Sequence, residues 1–109
     1  MPGCLEQLDV FVKQFYPPSD KREGLIAQAE KASQALTKEW EKTSADMYIK
    51  TMKKIIEKGE SLVDSEIERL EKLRSGKLSD KKKEQLTDRL NILGSFSVSR
   101  VQAGIKDEL

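Results

Sequence analysis

The chain has 109 residues, of which 36% are charged and 37% hydrophobic, and its formal net charge is +1. This length fits one domain, and no apolar run approaches the roughly 18 residues that suggest a membrane span. The balanced charge argues against a nucleic-acid-binding or membrane-surface protein. Histidine is absent, which removes the commonest general base and metal ligand and favours binding over catalysis.

The first two predicted helices are separated by a proline pair. Apolar residues recur at three- and four-residue steps from about Leu5 to Tyr16 and predict the first helix. Pro17-Pro18 ends it, and Ser19-Asp20 is typical of the N-cap and first turn of the next. The small alanines of the second helix favour a close helix contact over a bulky core face. Its apolar residues are Leu25, Ile26, Ala29, Ala32, Ala35 and Leu36.

The third predicted helix is the longest and runs from about Thr37 to Lys58. A junction near Thr37 and a kink around 43–45 are both compatible with the sequence. Gly59 is the expected left-handed terminator. A broad face carries the larger side chains: Trp40, Met47, Tyr48, Thr51, Met52 and Ile55.

Two further helices complete the predicted fold. Ser61 to Asp64 has the spacing of a capping box, and Gly76 closes the fourth helix. The fifth is expected from its cap Ser79 to Gly94. The sequence therefore predicts an all-α, compact five-helix domain over residues 1–96, and a flexible tail over residues 97–109.

The last four residues, Lys106, Asp107, Glu108 and Leu109, read KDEL, the address for retention in the endoplasmic reticulum. We therefore expect a lumenal protein that is retrieved by the KDEL receptor. No apolar signal segment follows Met1, so we expect this chain to be the C-terminal part of a longer protein.

The single cysteine, Cys4, gives the domain no internal disulfide, and no CxxC motif is present. It is interpreted as a small buried hydrophobe at a helix start, with a pairing or regulatory thiol as the alternative.

Two kinds of residue are candidates for binding a protein partner. Trp40 and Tyr48 could be exposed anchors, or they could pack in the core. Two lysine clusters could bind an acidic segment of another protein, or could be solvated faces balanced by nearby acids. The clusters consist of Lys53 and Lys54, and of Lys81, Lys82 and Lys83.

No catalytic residue, metal ligand or cofactor is predicted. Glu66, Glu68 and Glu71 lie beside Arg69 and Lys72 at helical spacing, so ion pairing in solvent accounts for them without acid–base chemistry. The sequence contains no calcium-binding loop motif.

A family resemblance covers nearly the whole chain. It is carried by Pro2-Gly3-Cys4-Leu5, Lys38 to Trp40, Tyr48 with Lys50, Met52 and Lys54, Lys58-Gly59-Glu60, Ser65-Glu66, Leu78-Ser79-Asp80 with Lys82-Lys83, and Leu90-Asn91-Ile92-Leu93 before Phe96. This succession resembles the C-terminal helical domain of the twenty-nine-kilodalton endoplasmic-reticulum thioredoxin-like chaperone family, which includes Windbeutel.

The resemblance implies a five-helix domain that follows a thioredoxin-like domain, through which the parent protein would form a homodimer. It also implies binding to lumenal client proteins and to the acidic P-domain tip of calnexin- or calreticulin-type chaperones. A related helical domain ends some protein disulfide isomerases, so a substrate-positioning module of such an enzyme is the alternative.

Overall fold

The computed structural model describes residues 1–104 and shows five α-helices. No strand is present within these residues, so the prediction of an all-α five-helix domain is confirmed. The helices are α1 (Glu6–Phe15), α2 (Arg22–Ser33), α3 (Glu39–Lys58), α4 (Leu62–Arg74) and α5 (Asp80–Gln102). No helix in the described part of the chain is both long and apolar enough to cross a membrane.

One hydrophobic core joins all five helices. The predicted apolar stripes face inward, because Leu8, Met52, Leu70 and Phe96 from four different helices have no measurable exposure. Ala29 of α2 is equally buried, and its small side chain fits the close α2–α3 contact. α5 packs against α1, α3 and α4, so different sides of this helix border grooves with different neighbours.

The prediction that the fifth helix ends at Gly94 is wrong. α5 continues through Gly94 to Gln102, so residues 97–102 of the expected flexible tail are helical. Ser99 and Arg100 are buried, and Arg100 lies 3.5 Å from Asp64 of α4. Phe96, two positions past Gly94, has no measurable exposure, and the burial of its ring offsets the roughly 1 kcal/mol that a glycine costs inside a helix. The KDEL residues 106–109 lie outside the described residues.

The helix ends follow the sequence signals in part. The Ser79 hydroxyl accepts a hydrogen bond from the Lys82 amide at 3.2 Å, as predicted for an N-cap. Ser61 precedes α4 but makes no such bond, so the predicted capping box is wrong. Gly59 follows α3 with φ +100°, and its amide donates to the Ile55 carbonyl at 2.8 Å, which confirms it as a terminator.

The boundary between the second and third helices is a true break. α2 ends at Ser33 and α3 begins at Glu39, and α3 is continuous through residues 43–45. Of the two alternatives, the junction near Thr37 is therefore correct. An uninterrupted α3 presents side chains three and four positions apart along one line.

Candidate partner-binding surface

One stripe of α3 connects the aromatic and basic candidates. Trp40, Thr43, Met47, Lys50 and Lys54 recur at three- and four-residue steps, so they lie along one side of the helix. Trp40 is 52% exposed, which excludes a core position for this indole. The stripe therefore begins with an exposed aromatic residue and ends with two lysines.

Two adjoining hollows lie between this stripe, α4 and α5, and we call them together the basic cleft. One has a volume of about 340 Å³ and the other about 500 Å³, and Met47 and Arg89 line both. The smaller hollow is also lined by Lys50, Thr51, Lys54, Leu62, Glu66, Ile92 and Leu93, and the larger by Thr43, Leu73, Leu78, Lys82, Gln85 and Leu86.

The charge of the basic cleft is positive. Its cations are Lys50, Lys54, Lys82 and Arg89, and its single carboxylate among the lining residues is Glu66. Glu66 is itself occupied, because Arg69 donates two hydrogen bonds to its carboxylate, each of 3.0 Å.

Those bonds also fix the charge of Glu66. They lower its pKa below the usual range for a glutamate, so it is ionised at neutral pH. Arg89 lies 3.9 Å from the same carboxylate, at the outer limit of an ion pair. An incoming carboxylate would therefore meet four cations, of which Lys54 and Arg89 already interact electrostatically with the Glu66 carboxylate.

The larger hollow adds an apolar site to these cations. Leu73 is 47% exposed at its edge, and Leu78 and Leu86 are half-buried beside it. An apolar side chain could enter here while neighbouring carboxylates reach Lys82 and Arg89. The cleft is thus suited to a segment that is both acidic and apolar.

The structure divides the first lysine cluster between two surfaces. Lys54 lines the basic cleft, whereas Lys53, one position earlier, pairs with Glu30 of α2 at 3.0 Å. Lys53 lines a separate hollow with Glu23, Ile26 and Ile56. Consecutive residues on a helix point about 100° apart, which explains the separation.

The second cluster is divided in a similar way. Lys81, Lys82 and Lys83 are all exposed in the first turn of α5, but only Lys82 lines the basic cleft. Sequence reasoning found Lys54 and Lys82 as parts of charge runs and missed Lys50 and Arg89, because isolated cations form no run. Their spacing from Lys54 and Lys82 along the two helices was the available signal.

Tyr48 belongs to the core and not to an exposed partner surface. Its side chain has no measurable exposure, and its hydroxyl donates a hydrogen bond to Asp9 at 2.8 Å. The same oxygen accepts a bond from the Leu5 amide at 3.0 Å. Burial raises the pKa of the Tyr48 hydroxyl above its usual range, so it remains protonated and keeps both bonds.

Cys4 and the acidic side chains of α4 have structural surroundings. The half-buried Cys4 packs against the core, with its Sγ 3.8 Å from the Ser95 hydroxyl. Glu68 lies 3.8 Å from Lys72, and Glu66 is bonded to Arg69, so the predicted ion pairs of this helix are present. Within residues 1–104, no group of three acidic, cysteine or histidine side chains is placed to hold a metal ion.

Comparison with known proteins identifies relatives along almost the whole chain. Protein windbeutel of Drosophila melanogaster is 33% identical over 98% of this chain and 43% of its own length. Protein disulfide-isomerase 1 of Dictyostelium discoideum is 38% identical over 86% of the chain and 26% of its own length. Probable protein disulfide-isomerase A6 of Medicago sativa is 32% identical over 87% of the chain, and again over 26% of its own length.

The chain thus spans less than half the length of each of these relatives. The family model for the C-terminal domain of endoplasmic reticulum protein ERp29 matches residues 3–96. This match covers helices α1 to α4 and α5 as far as Phe96. The chain therefore belongs to the ERp29 C-terminal domain family, a family of endoplasmic reticulum proteins whose domain also occurs in relatives named as protein disulfide isomerases.

Proposed function

We propose that this chain is a non-catalytic protein-binding domain of a lumenal chaperone or escort factor that assists the folding and secretion of client proteins. Its partner-binding surface is the basic cleft, and its partners are client segments or the acidic P-domain tip of calnexin- or calreticulin-type chaperones. The observation that carries this proposal is the convergence of Lys50, Lys54, Lys82 and Arg89 on two hollows with apolar walls.

The chemistry of the cleft favours acidic protein segments. Lysine ammonium groups attract carboxylates as point charges, and the guanidinium of Arg89 can bind one carboxylate through two parallel hydrogen bonds. Leu73 and Leu86 supply apolar contact beside these cations. Complementary charge raises the rate of encounter, and apolar contact lengthens the lifetime of the complex.

Trp40 extends this surface by one helical turn. It lies on the α3 stripe immediately before Thr43, and half of its side chain is exposed. Exposed tryptophans are enriched among the residues that dominate binding energy at protein interfaces. We therefore expect Trp40→Ala to weaken partner binding without unfolding the domain.

The adjacent lysines of α3 allow a matched test. Lys54→Glu and Lys53→Glu change the net charge of the domain equally, but only Lys54 lines the basic cleft. In calorimetric titration with a calnexin-type P-domain at low salt, Lys54→Glu should weaken binding by about tenfold and Lys53→Glu much less. Added salt should weaken the wild-type complex.

The outcomes separate specific docking from general attraction. Equal losses for the two variants would indicate that overall charge and not the basic cleft governs binding. Absence of binding at low salt would remove the P-domain as a partner, and absence of binding to clients as well would favour a purely structural spacer. Far-ultraviolet circular dichroism verifies that both variants keep the helical fold.

A second candidate function is the substrate-positioning module of a protein disulfide isomerase. Two relatives with that name match 86% and 87% of this chain, and in each case the match covers 26% of the relative's own length. Tandem CxxC thioredoxin modules upstream would support this function. A single upstream module without CxxC, through which the parent protein forms a homodimer, would support the chaperone. The KDEL receptor would retrieve either protein.

A further inference from the structure

A second groove lies between α1 and α5, separate from the basic cleft. It has a volume of about 710 Å³, and its lining includes Val10 of α1 and Val98 of α5. These valines are 52% and 55% exposed. The α5 residues of this groove and those of the basic cleft lie on opposite sides of the helix by its 3.6-residue period. We call this surface the α1–α5 groove.

Gly94 forms part of the floor of the α1–α5 groove. A Cβ atom built on Gly94 would meet nothing within 4 Å, so close packing inside the domain does not require a glycine there. A glycine in the interior of a helix costs about 1 kcal/mol relative to alanine. The missing side chain of Gly94 leaves the groove deeper between Val98 and α1, so side chains from outside the domain have room to enter.

The surroundings of the α1–α5 groove are mainly acidic. Glu6 and Asp9 line it from α1, and Lys13 is the only lysine or arginine among its lining residues. Asp88 adjoins its end, because it lies against the turn at Gly3 that carries Met1 into the lining. Burial raises the pKa of Asp88, and the nearby carboxylate of Glu84 adds to this effect.

We propose that the α1–α5 groove binds an amphipathic helix of a partner protein, whose apolar side chains are flanked by lysine or arginine. The apolar side chains would pack on Val10, Val98 and the floor at Gly94, and the cations would meet Glu6 and Asp9. An apolar groove between two helices is the usual receptor for such a segment. The domain would then bind an acidic partner on one side of α5 and a basic one on the other.

The test uses two synthetic amphipathic peptides of identical leucine pattern, one with lysines and one with glutamates at the polar positions. Binding to the full chain is followed by fluorescence anisotropy of the labelled peptide. The lysine peptide should bind, and the glutamate peptide should bind at least about tenfold more weakly. Gly94→Met fills the floor and should weaken the lysine peptide by about tenfold or more.

Gly24→Met is the matched control, because Gly24 is also helical with nothing within 4 Å of a built Cβ but lies outside the groove. It should leave binding unchanged. Should Gly94→Met fail to fold, Val98→Lys tests the same site at an exposed position. Equal binding of both peptides, or unchanged binding in Gly94→Met and Val98→Lys, would overturn the proposal.

A second copy of this chain is the competing occupant. Sedimentation equilibrium of the wild type and of Gly94→Met distinguishes it: a dimer that the variant abolishes would show that the groove is a self-association surface, which would also overturn the proposal. Because Lys54 and Lys82 lie in the other surface, their charge-reversed variants should bind the lysine peptide as the wild type does. If the P-domain does not bind the basic cleft, the peptide experiment on the α1–α5 groove still gives an independent result.

Discussion

The position of Tyr48 makes a sharp prediction, because its hydroxyl joins two parts of the chain that are distant in sequence. The hydroxyl oxygen accepts a hydrogen bond from the Leu5 amide at 3.0 Å, and the O–H donates one to the Asp9 carboxylate at 2.8 Å. Tyr48→Phe removes both bonds while keeping the ring, which packs 6.2 Å from the Phe96 ring between centroids. The variant therefore isolates the contribution of the hydroxyl.

The expected loss follows from the buried Leu5 amide. A buried donor that loses its acceptor costs about 1–3 kcal/mol, whereas Asp9 is partly exposed and can bind water. We therefore expect Tyr48→Phe to lower the free energy of unfolding by about 2 kcal/mol. For a domain of this size, that loss corresponds to a fall in Tm of roughly 10 °C.

The assay is urea denaturation followed by far-ultraviolet circular dichroism, with the P-domain titration repeated on the folded variant. We expect lower stability and unchanged affinity, since Tyr48 is buried. Asp9→Asn keeps an acceptor for the hydroxyl and should cost less than Tyr48→Phe. A loss below about 0.5 kcal/mol would refute the assignment of the hydroxyl as the acceptor that satisfies Leu5. A large loss of affinity in a stable variant would return Tyr48 to the partner surface.

Two further predictions concern glycine and pH. Gly94→Ala should raise the free energy of unfolding by about 1 kcal/mol in urea denaturation, since α5 is helical there and an added Cβ would meet no atom within 4 Å. Gly59→Ala should lower the free energy of unfolding by about 1 kcal/mol or more, because Gly59 has φ +100°, which an alanine rarely adopts. The folded-state pKa of Glu66 is lowered by Arg69, so its stabilising effect is present above the unfolded-state pKa and is lost as pH falls through the folded-state pKa. Glu66→Gln should therefore lose less stability than the wild type on acidification, and identical pH profiles would contradict this.

The helices could be predicted because their amphipathic stripes were clear, as at Leu8 and Val12 of α1. The end of α5 could not, because glycine commonly ends helices and its local propensity is unfavourable. Phe96 lies two positions past Gly94 and is fully buried in the core beside Tyr48 of α3, and the sequence of α5 alone does not contain that contact.

The candidate surface was predictable only as residue types. Lys53 and Lys54 are equivalent in sequence, but they line different hollows because neighbouring helical side chains diverge. For both Trp40 and Tyr48 the sequence left a core and an exposed position open, and their exposure of 52% and 0% separates them. Which aromatic residue enters the core depends on the angles at which α1, α3 and α5 pack, which single-helix periodicity does not contain.

We propose above all that this domain binds an acidic protein partner through the basic cleft. Nuclear magnetic resonance titration of the isotope-labelled chain with a calnexin-type P-domain tests this proposal residue by residue. We expect salt-sensitive shift changes confined to the basic cleft, with little change at Lys53 or Val10. The cleft residues that should shift include Lys50, Lys54, Lys82 and Arg89. Shift changes centred on the α2 side of Lys53 or in the α1–α5 groove, or no changes at low salt, would contradict it.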